Sequence, residues 1–237
     1  MRINPDKCVG CMVCVPFCSV EAILQAGETC VVDEDKCVEC YVCLRSEICP
    51  VDAFEEVPLE WPRILRHTFS SPVTVHEDTH VDGRGTTEMK TNDVTGRYRH
   101  GEVGFTVDVG RPGVGTTFED VERISMAVAK VGVKFEPLNP TTTLMADSNT
   151  GKFRDDIKAE RVLSCILEFK IEEDKLLSVI DALKDIAKSV STVFSVGCIS
   201  RCRPDGTAPV QAVLDRAGIF YRPNGKINIG LGRPLAR

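Results

Sequence analysis

Eight cysteines between positions 8 and 49 carry the chemistry of this 237-residue chain. Cys8, Cys11, Cys14 and Cys18 are spaced C-x2-C-x2-C-x3-C; Cys37, Cys40, Cys43 and Cys49 are spaced C-x2-C-x2-C-x5-C and run into Pro50. Two-residue gaps in a tight turn let three thiolates converge on three corners of one iron–sulfur cubane, and the fourth corner needs a sulfur from elsewhere. Two such runs imply two clusters. Structural zinc prefers paired CxxC knuckles or CxxC with HxxxH, a poorer description of three evenly spaced cysteines occurring twice. Disulfide frameworks belong to secreted domains, and Met1-Arg2-Ile3-Asn4-Pro5 reads as no signal peptide. The expected location is therefore the cytoplasm, whose reducing interior suits such clusters.

Residues 1–57 resemble a bacterial-type two-cluster ferredoxin. The likeness rests on both cysteine runs, on a hairpin read from Glu21-Ala22-Ile23 to Val31-Val32-Asp33, and on the closing Cys49-Pro50-Val51-Asp52-Ala53. It implies that the fourth ligand of each cluster crosses over from the other run. Cys8, Cys11 and Cys14 would then share one [4Fe–4S] cluster with Cys49, and Cys37, Cys40 and Cys43 the other with Cys18. Such cross-bracing would staple a segment too small to bury much of a core. Two departures stand out: Cys18-Ser19-Val20 where the family has Cys-Pro, and two extra residues before Cys49, which should make Arg45–Ile48 bulge toward the first cluster. Cys30, the ninth cysteine here, is read as a small packing residue.

Charge separates this segment from the rest. Residues 1–57 hold four basic side chains against eleven acidic ones, net −7; the remainder holds 25 and 24, net +1. An acidic field of this kind steers a redox partner that presents a basic docking patch and repels nucleic acid. No apolar run approaches the length of a membrane span.

Pro58, Trp61 and Pro62 suggest a linker with Trp61 pinned against the cysteine-rich segment, and residues 58–100 as a whole read as linker and polar loop. His76 and His80, four apart among Glu77, Asp78 and Asp82, would suit a metal only on a helix, which their Thr and Gly neighbours disfavour. The polar tract 78–93 reads as a functional or mobile loop.

From position 101 the rhythm is that of an α+β domain. Val103, Phe105, Val107 and Val109 alternate as in a half-buried strand. Thr116-x-x-Glu119 reads as a capping box opening a helix, followed by a short strand at Val133–Phe135, a third strand over 162–169, a helix over 174–188 and a fourth strand over 190–199. That β-α-β-β-α-β order predicts a ferredoxin-like split βαβ sandwich over 101–237, a name that implies no iron. A helix over 209–217, Gly218-Ile219-Phe220 and Lys226-Ile227-Asn228-Ile229 would flank it.

Further residues could bind an anion. Gly110-Arg111-Pro112-Gly113-Val114-Gly115 precedes a helix and could offer backbone N–H groups and a guanidinium to an anion or docking face; equally, it could be a turn that needs positive φ. Arg201 and Arg203 follow a strand end, and the sequence reading places them on one surface with Arg111, Gly113 and Gly115, provided that Pro204-Asp205-Gly206 turns the chain back. Cys198, Cys202 and Cys165 leave any metal site one ligand short.

Most of the chain resembles 6-hydroxynicotinate reductase and its relatives, through 83–97, Gly110–Gly115, Pro223-Asn224-Gly225-Lys226 and Gly230-Leu231-Gly232-Arg233-Pro234. The resemblance implies ferredoxin-driven saturation of a ring double bond in anaerobic metabolism, with flavin implicated. The chain carries no dinucleotide fingerprint, which assigns any flavin to a partner subunit or to joint binding with one. Two functions follow: an electron-transfer subunit of an oxidoreductase, favoured because it needs only the cysteines, or a reductase whose C-terminal domain binds a small anionic heterocycle.

Overall fold

The structure is a computed structural model and describes residues 1–77, 79–83, 97–111 and 113–222. It begins with β1 (Arg2–Ile3), a hairpin of β2 (Ile23–Ala26) and β3 (Thr29–Val32), a one-turn helix α1 (Val42–Arg45) and β4 (Phe54–Glu55). β4 returns antiparallel to β1 with Arg2 opposite Glu55, and the two side chains pair as well. Met1, Ile23, Cys30 and Phe54 make a small core, with cysteines of both runs packed around it.

The chain continues through α2 (Ile64–Ser70), β5 (Glu102–Val109), β6 (Thr116–Thr117), α3 (Phe118–Ala129), β7 (Lys134–Phe135) and α4 (Pro140–Thr143). Next come the hairpin β8 (Met145–Asp147) and β9 (Lys152–Phe153), then β10 (Arg161–Val162), β11 (Cys165–Glu172), α5 (Leu176–Ile186), β12 (Phe194–Ser200) and α6 (Pro209–Arg216). Four strands form one antiparallel sheet in the order β12-β5-β11-β7. This neighbour order is that of the split βαβ arrangement. Alternation along β5 and β11 sends Val103, Phe105, Val107, Leu167 and Phe169 into one core with Ile124 of α3 and Leu176 of α5. Removing large side chains of this kind from water contributes about 1.5–3 kcal/mol each. Mixed helix and strand is thus the class of the chain.

Several expectations shift. Thr116 is engaged in a two-residue ladder with Val162, so the helix cap falls to Thr117, whose hydroxyl accepts the N–H of Asp120 at 3.2 Å. The third strand is broken: β10 pairs with β6, the Leu163 N–H turns to Ser70 Oγ (2.8 Å), and β11 starts afresh at Cys165. Trp61 reaches toward the sheet-bearing part of the chain: its Nε1 donates to Asp156 at 2.7 Å and Arg154 lies over the ring. The 58–100 stretch contributes α2, whose Leu65 and Phe69 enter the large core. Residues 84–96 and 223–237, with most of the second resemblance and the Lys226–Ile229 strand, lie outside the described residues.

Candidate iron–sulfur centre

Cys8, Cys11 and Cys14 line one cleft together with Cys49, which arrives from the second run; Met12, Ile48 and Val51 share its wall. The lengthened loop before Cys49 accordingly brings Ile48 to the first set of thiols. Gly10 makes the loop itself feasible. It sits at φ +65°, and a Cβ there would lie 2.2 Å from the carbonyl oxygen of Glu28 in the hairpin turn. Backbone N–H groups aim at the sulfurs: Cys30 N–H donates to Cys8 Sγ (3.4 Å) and Ala53 N–H to Cys49 Sγ (3.3 Å). The Cys30 N–H, then that of Gly10, holds the Cys8 thiol below its ordinary range.

Around the second run, the Cys18 thiol acts electrostatically on both Cys40 and Cys43, and Ala22 N–H donates to Cys18 Sγ at 3.1 Å. Burial pushes the Cys37 thiol up to about 11; burial first, and then the neighbouring thiols, push Cys43 up to about 12, and burial does the same to Cys14, up to about 12. Desolvated thiolates crowded together need a cation to be stable. Iron supplies that charge, and N–H donors directed at sulfur are the surroundings in which clusters are held and tuned. The residues present therefore fit iron–sulfur binding.

The second run is clamped from outside. Glu39, fully buried between Cys37 and Cys40, accepts from Arg63 at 2.6 and 3.1 Å and from the Met1 amine at 2.6 Å. Arg66 Nη1 donates to the carbonyls of Glu34 and Cys37, both at 2.8 Å. His67 Nδ1 lies 2.8 Å from the Glu39 carbonyl, and its ring rests on Tyr41. On the Cys18 side, Gly113 and Gly115 approach Ser19 and Val20 closely enough that added Cβ atoms would lie 3.9 and 3.6 Å from them. Ser19 and Val20 are the residues that stand where the ferredoxin resemblance expects Cys-Pro, and there the chain meets the sheet.

Residues 1–24 match the family described as a 4Fe-4S binding domain. No curated protein matches the chain. The matched stretch holds all of the first run, and it is an iron–sulfur binding segment of electron-transfer type. Among the described residues no helix is long and apolar enough to cross a membrane.

The remaining candidates separate. The glycine turn sits at the Val109 end of β5, where Gly110 N–H donates to Val193 just before β12. Ser200, at the other end of β12, lies opposite Val103. Arg201 and Arg203 therefore leave the sheet about six strand residues, roughly 20 Å, from Arg111. Pro204–Gly206 does turn, with Gly206 N–H on the Arg203 carbonyl, but it leads into α6, which packs on β12. The single functional surface expected for these residues is not formed. Strand direction decides this, because β12 runs antiparallel to β5. His76 is buried edge-on against Phe69, and a Val75–Asp82 bridge folds its segment back through a turn in which the His80 N–H donates to the His76 carbonyl at 2.8 Å, so among the described residues the two histidines stand in a turn and not on a helix. Burial pushes Cys198 up to about 12, which makes it inert packing, while Cys202 is exposed.

Sequence reasoning passed over Glu39, Arg63, Arg66, Glu160 and Glu168. Glu39 reads as one more acid of an acidic segment, and the others as ordinary charges at helix and loop positions. No spacing marks them.

Proposed function

We propose that the chain holds two [4Fe–4S] clusters and relays single low-potential electrons to a reductase, as an electron-transfer subunit of an oxidoreductase complex in the cytoplasm of an anaerobically living cell. The observation that supports this reading is that thiols of the two runs lie together: Cys49 shares a cleft with Cys8, Cys11 and Cys14, and Cys18 packs around the same small core as Cys37 and Cys43. Each cluster then has four thiolates. The acidic field of the first 57 residues supports a partner with a basic docking patch. Flavin, where the reaction needs it, is assigned to that partner, which also fits the ring-reducing chemistry implied by the 6-hydroxynicotinate reductase resemblance.

A second reading makes the chain itself such a reductase. It draws on a cleft of about 260 Å³ lined by Arg97, Tyr98, Lys134, Glu136 and Lys170, beside the buried acid Glu168. That cleft lies toward the Gly104–Lys170 level of the sheet, while the cysteine loops meet the Val109–Cys165 end. Five strand residues, about 17 Å, separate the two levels. The relay reading is favoured for that reason.

Iron and acid-labile sulfide in anaerobically purified chain should each approach about eight per molecule. Cys18→Ser should damage the cluster whose other ligands are Cys37, Cys40 and Cys43, and Cys49→Ser the one on Cys8, Cys11 and Cys14. Zinc in place of iron, about four irons, or each serine hurting its own run would overturn the assignment. Flavin absorption from the isolated chain would favour the second reading.

A further inference from the structure

Arg66 stands between the second cysteine run and the sheet. Its Nη1 donates to the carbonyls of Glu34 and Cys37 at 2.8 Å and of Asp35 at 3.3 Å, while Nε binds the Glu160 carboxylate. The side chain is almost wholly buried, so water screens little of its charge. Glu160 precedes β10, and its own carbonyl accepts the N–H of Phe118, the first residue of α3. A continuous line of contacts thus runs from the start of α3 through Glu160 and Arg66 to the carbonyl of a ligand cysteine. The first run differs in its own residues. From Cys8 to Phe17 it contains no charged residue, and Cys11 is exposed.

We infer that Arg66 is a positioning residue through which the sheet sets the reduction potential of the second cluster, with Glu160 as its counter-charge. The inference rests on the two-cluster reading above. Reduction adds one negative charge to a cluster, so a guanidinium on the carbonyl of a ligand cysteine stabilises the reduced form and raises the potential. The carboxylate behind it acts in the opposite sense, from farther away. Two clusters bound by similar cysteine runs are thereby made unequal, and the second becomes the better acceptor. With both clusters bound, an electron accepted at the exposed first run would pass on to the second, reoxidising the first and reducing the second with no bond made or broken. The reducing equivalent would then be held on the side where Arg66 and Glu160 join the second run to the sheet.

The test is a redox titration of the full chain with dithionite, followed by electron paramagnetic resonance, on the wild type, Arg66→Gln, Arg66→Lys and Glu160→Gln. Arg66→Gln should move one of two midpoints to lower potential, and Glu160→Gln should move the same midpoint upward. Arg66→Lys, which keeps the charge, should stay near the wild type, and the other midpoint should not move. Equal shifts of both midpoints, or shifts of one sign in Arg66→Gln and Glu160→Gln, overturn the inference, because loosened packing does not change sign with the charge removed. Iron content separates the two failures: about eight irons with unmoved midpoints sinks the inference alone, and about four sinks the two-cluster reading with it. Should Arg66→Gln fail to assemble, Glu160→Gln decides, since an unmoved or lowered midpoint there contradicts the counter-charge role.

Discussion

Glu168 shows what a single buried group does to the whole. It lies opposite Thr106 in the middle of the sheet with 2% of its surface exposed; Oε2 accepts from Asn139 at 2.9 Å, and Oε1 has no partner among the described residues. Burial holds its carboxyl above the ordinary 4.5, while the Asn139 amide and the Arg97 charge pull the other way. The folded chain therefore binds this proton more tightly than the unfolded chain does. The stability it contributes is complete below the unfolded value and is lost as pH rises through the folded one. Glu168→Gln should flatten that part of the pH dependence and gain stability toward neutral pH. Urea unfolding of both proteins at pH 5 and pH 8 measures it, and parallel pH dependence in the two would show that Glu168 is ionised in the fold at little cost.

Among the elements, α3 and α2 carry different loads. α3 is set by its cap: Thr117 closes the first turn from a β-region backbone, with Glu119 and Asp120 placed favourably for the helix dipole. Thr117→Ala should cost about 1 kcal/mol in urea unfolding. Glu119→Gln loses an exposed pair with Arg123 worth only a few tenths of a kcal/mol; a larger loss at Glu119 than at Thr117 would mean that the cap is the Thr116 box after all. α2 is too short to be stable by its own hydrogen bonds. Tertiary contacts hold it. Leu65 and Phe69 face the large core, while Arg63, Arg66 and His67 grip the Glu34–Glu39 loop.

For the molecule as a whole, charge and exposure have different distributions. The acidic side chains give the first 57 residues a net −7, yet the loop from Val9 to Phe17 is uncharged and exposes Val9, Met12, Val13 and Phe17 around the first thiols. On the relay reading, long-range attraction would govern encounter with a basic partner and apolar contact the docked state. Electron transfer with a basic redox protein under second-order conditions should slow several-fold as ionic strength rises from about 0.01 to 0.15 M, because the screening length falls from about 30 to about 8 Å. Stopped-flow reduction rates test this; a rate independent of salt would leave the acidic field without a role in partner encounter.

By itself the sequence pointed to iron–sulfur chemistry and to the order of the main helices and strands of the sheet. Cysteine spacing is local covalent geometry, so the iron–sulfur character of the first run, which the matched family shares, can be read without a fold. Period-two and period-3.6 patterns likewise mark β5, α3, β11, α5 and β12, because each element must hide one face. What lies between elements was not legible. The cap moved from Thr116 to Thr117 because Val162, 46 positions away, claimed Thr116 for a ladder, and Trp61 found its hydrogen-bond partner in Asp156, 95 positions on. The clamp of Arg63, Arg66 and His67 on the second run, the seat of Gly113 and Gly115 against Ser19 and Val20, and the separation of Arg111 from Arg201 exist only once strand directions are set. Such contacts join residues tens of positions apart, and neither spacing nor composition records which distant partner a charge or a glycine will meet.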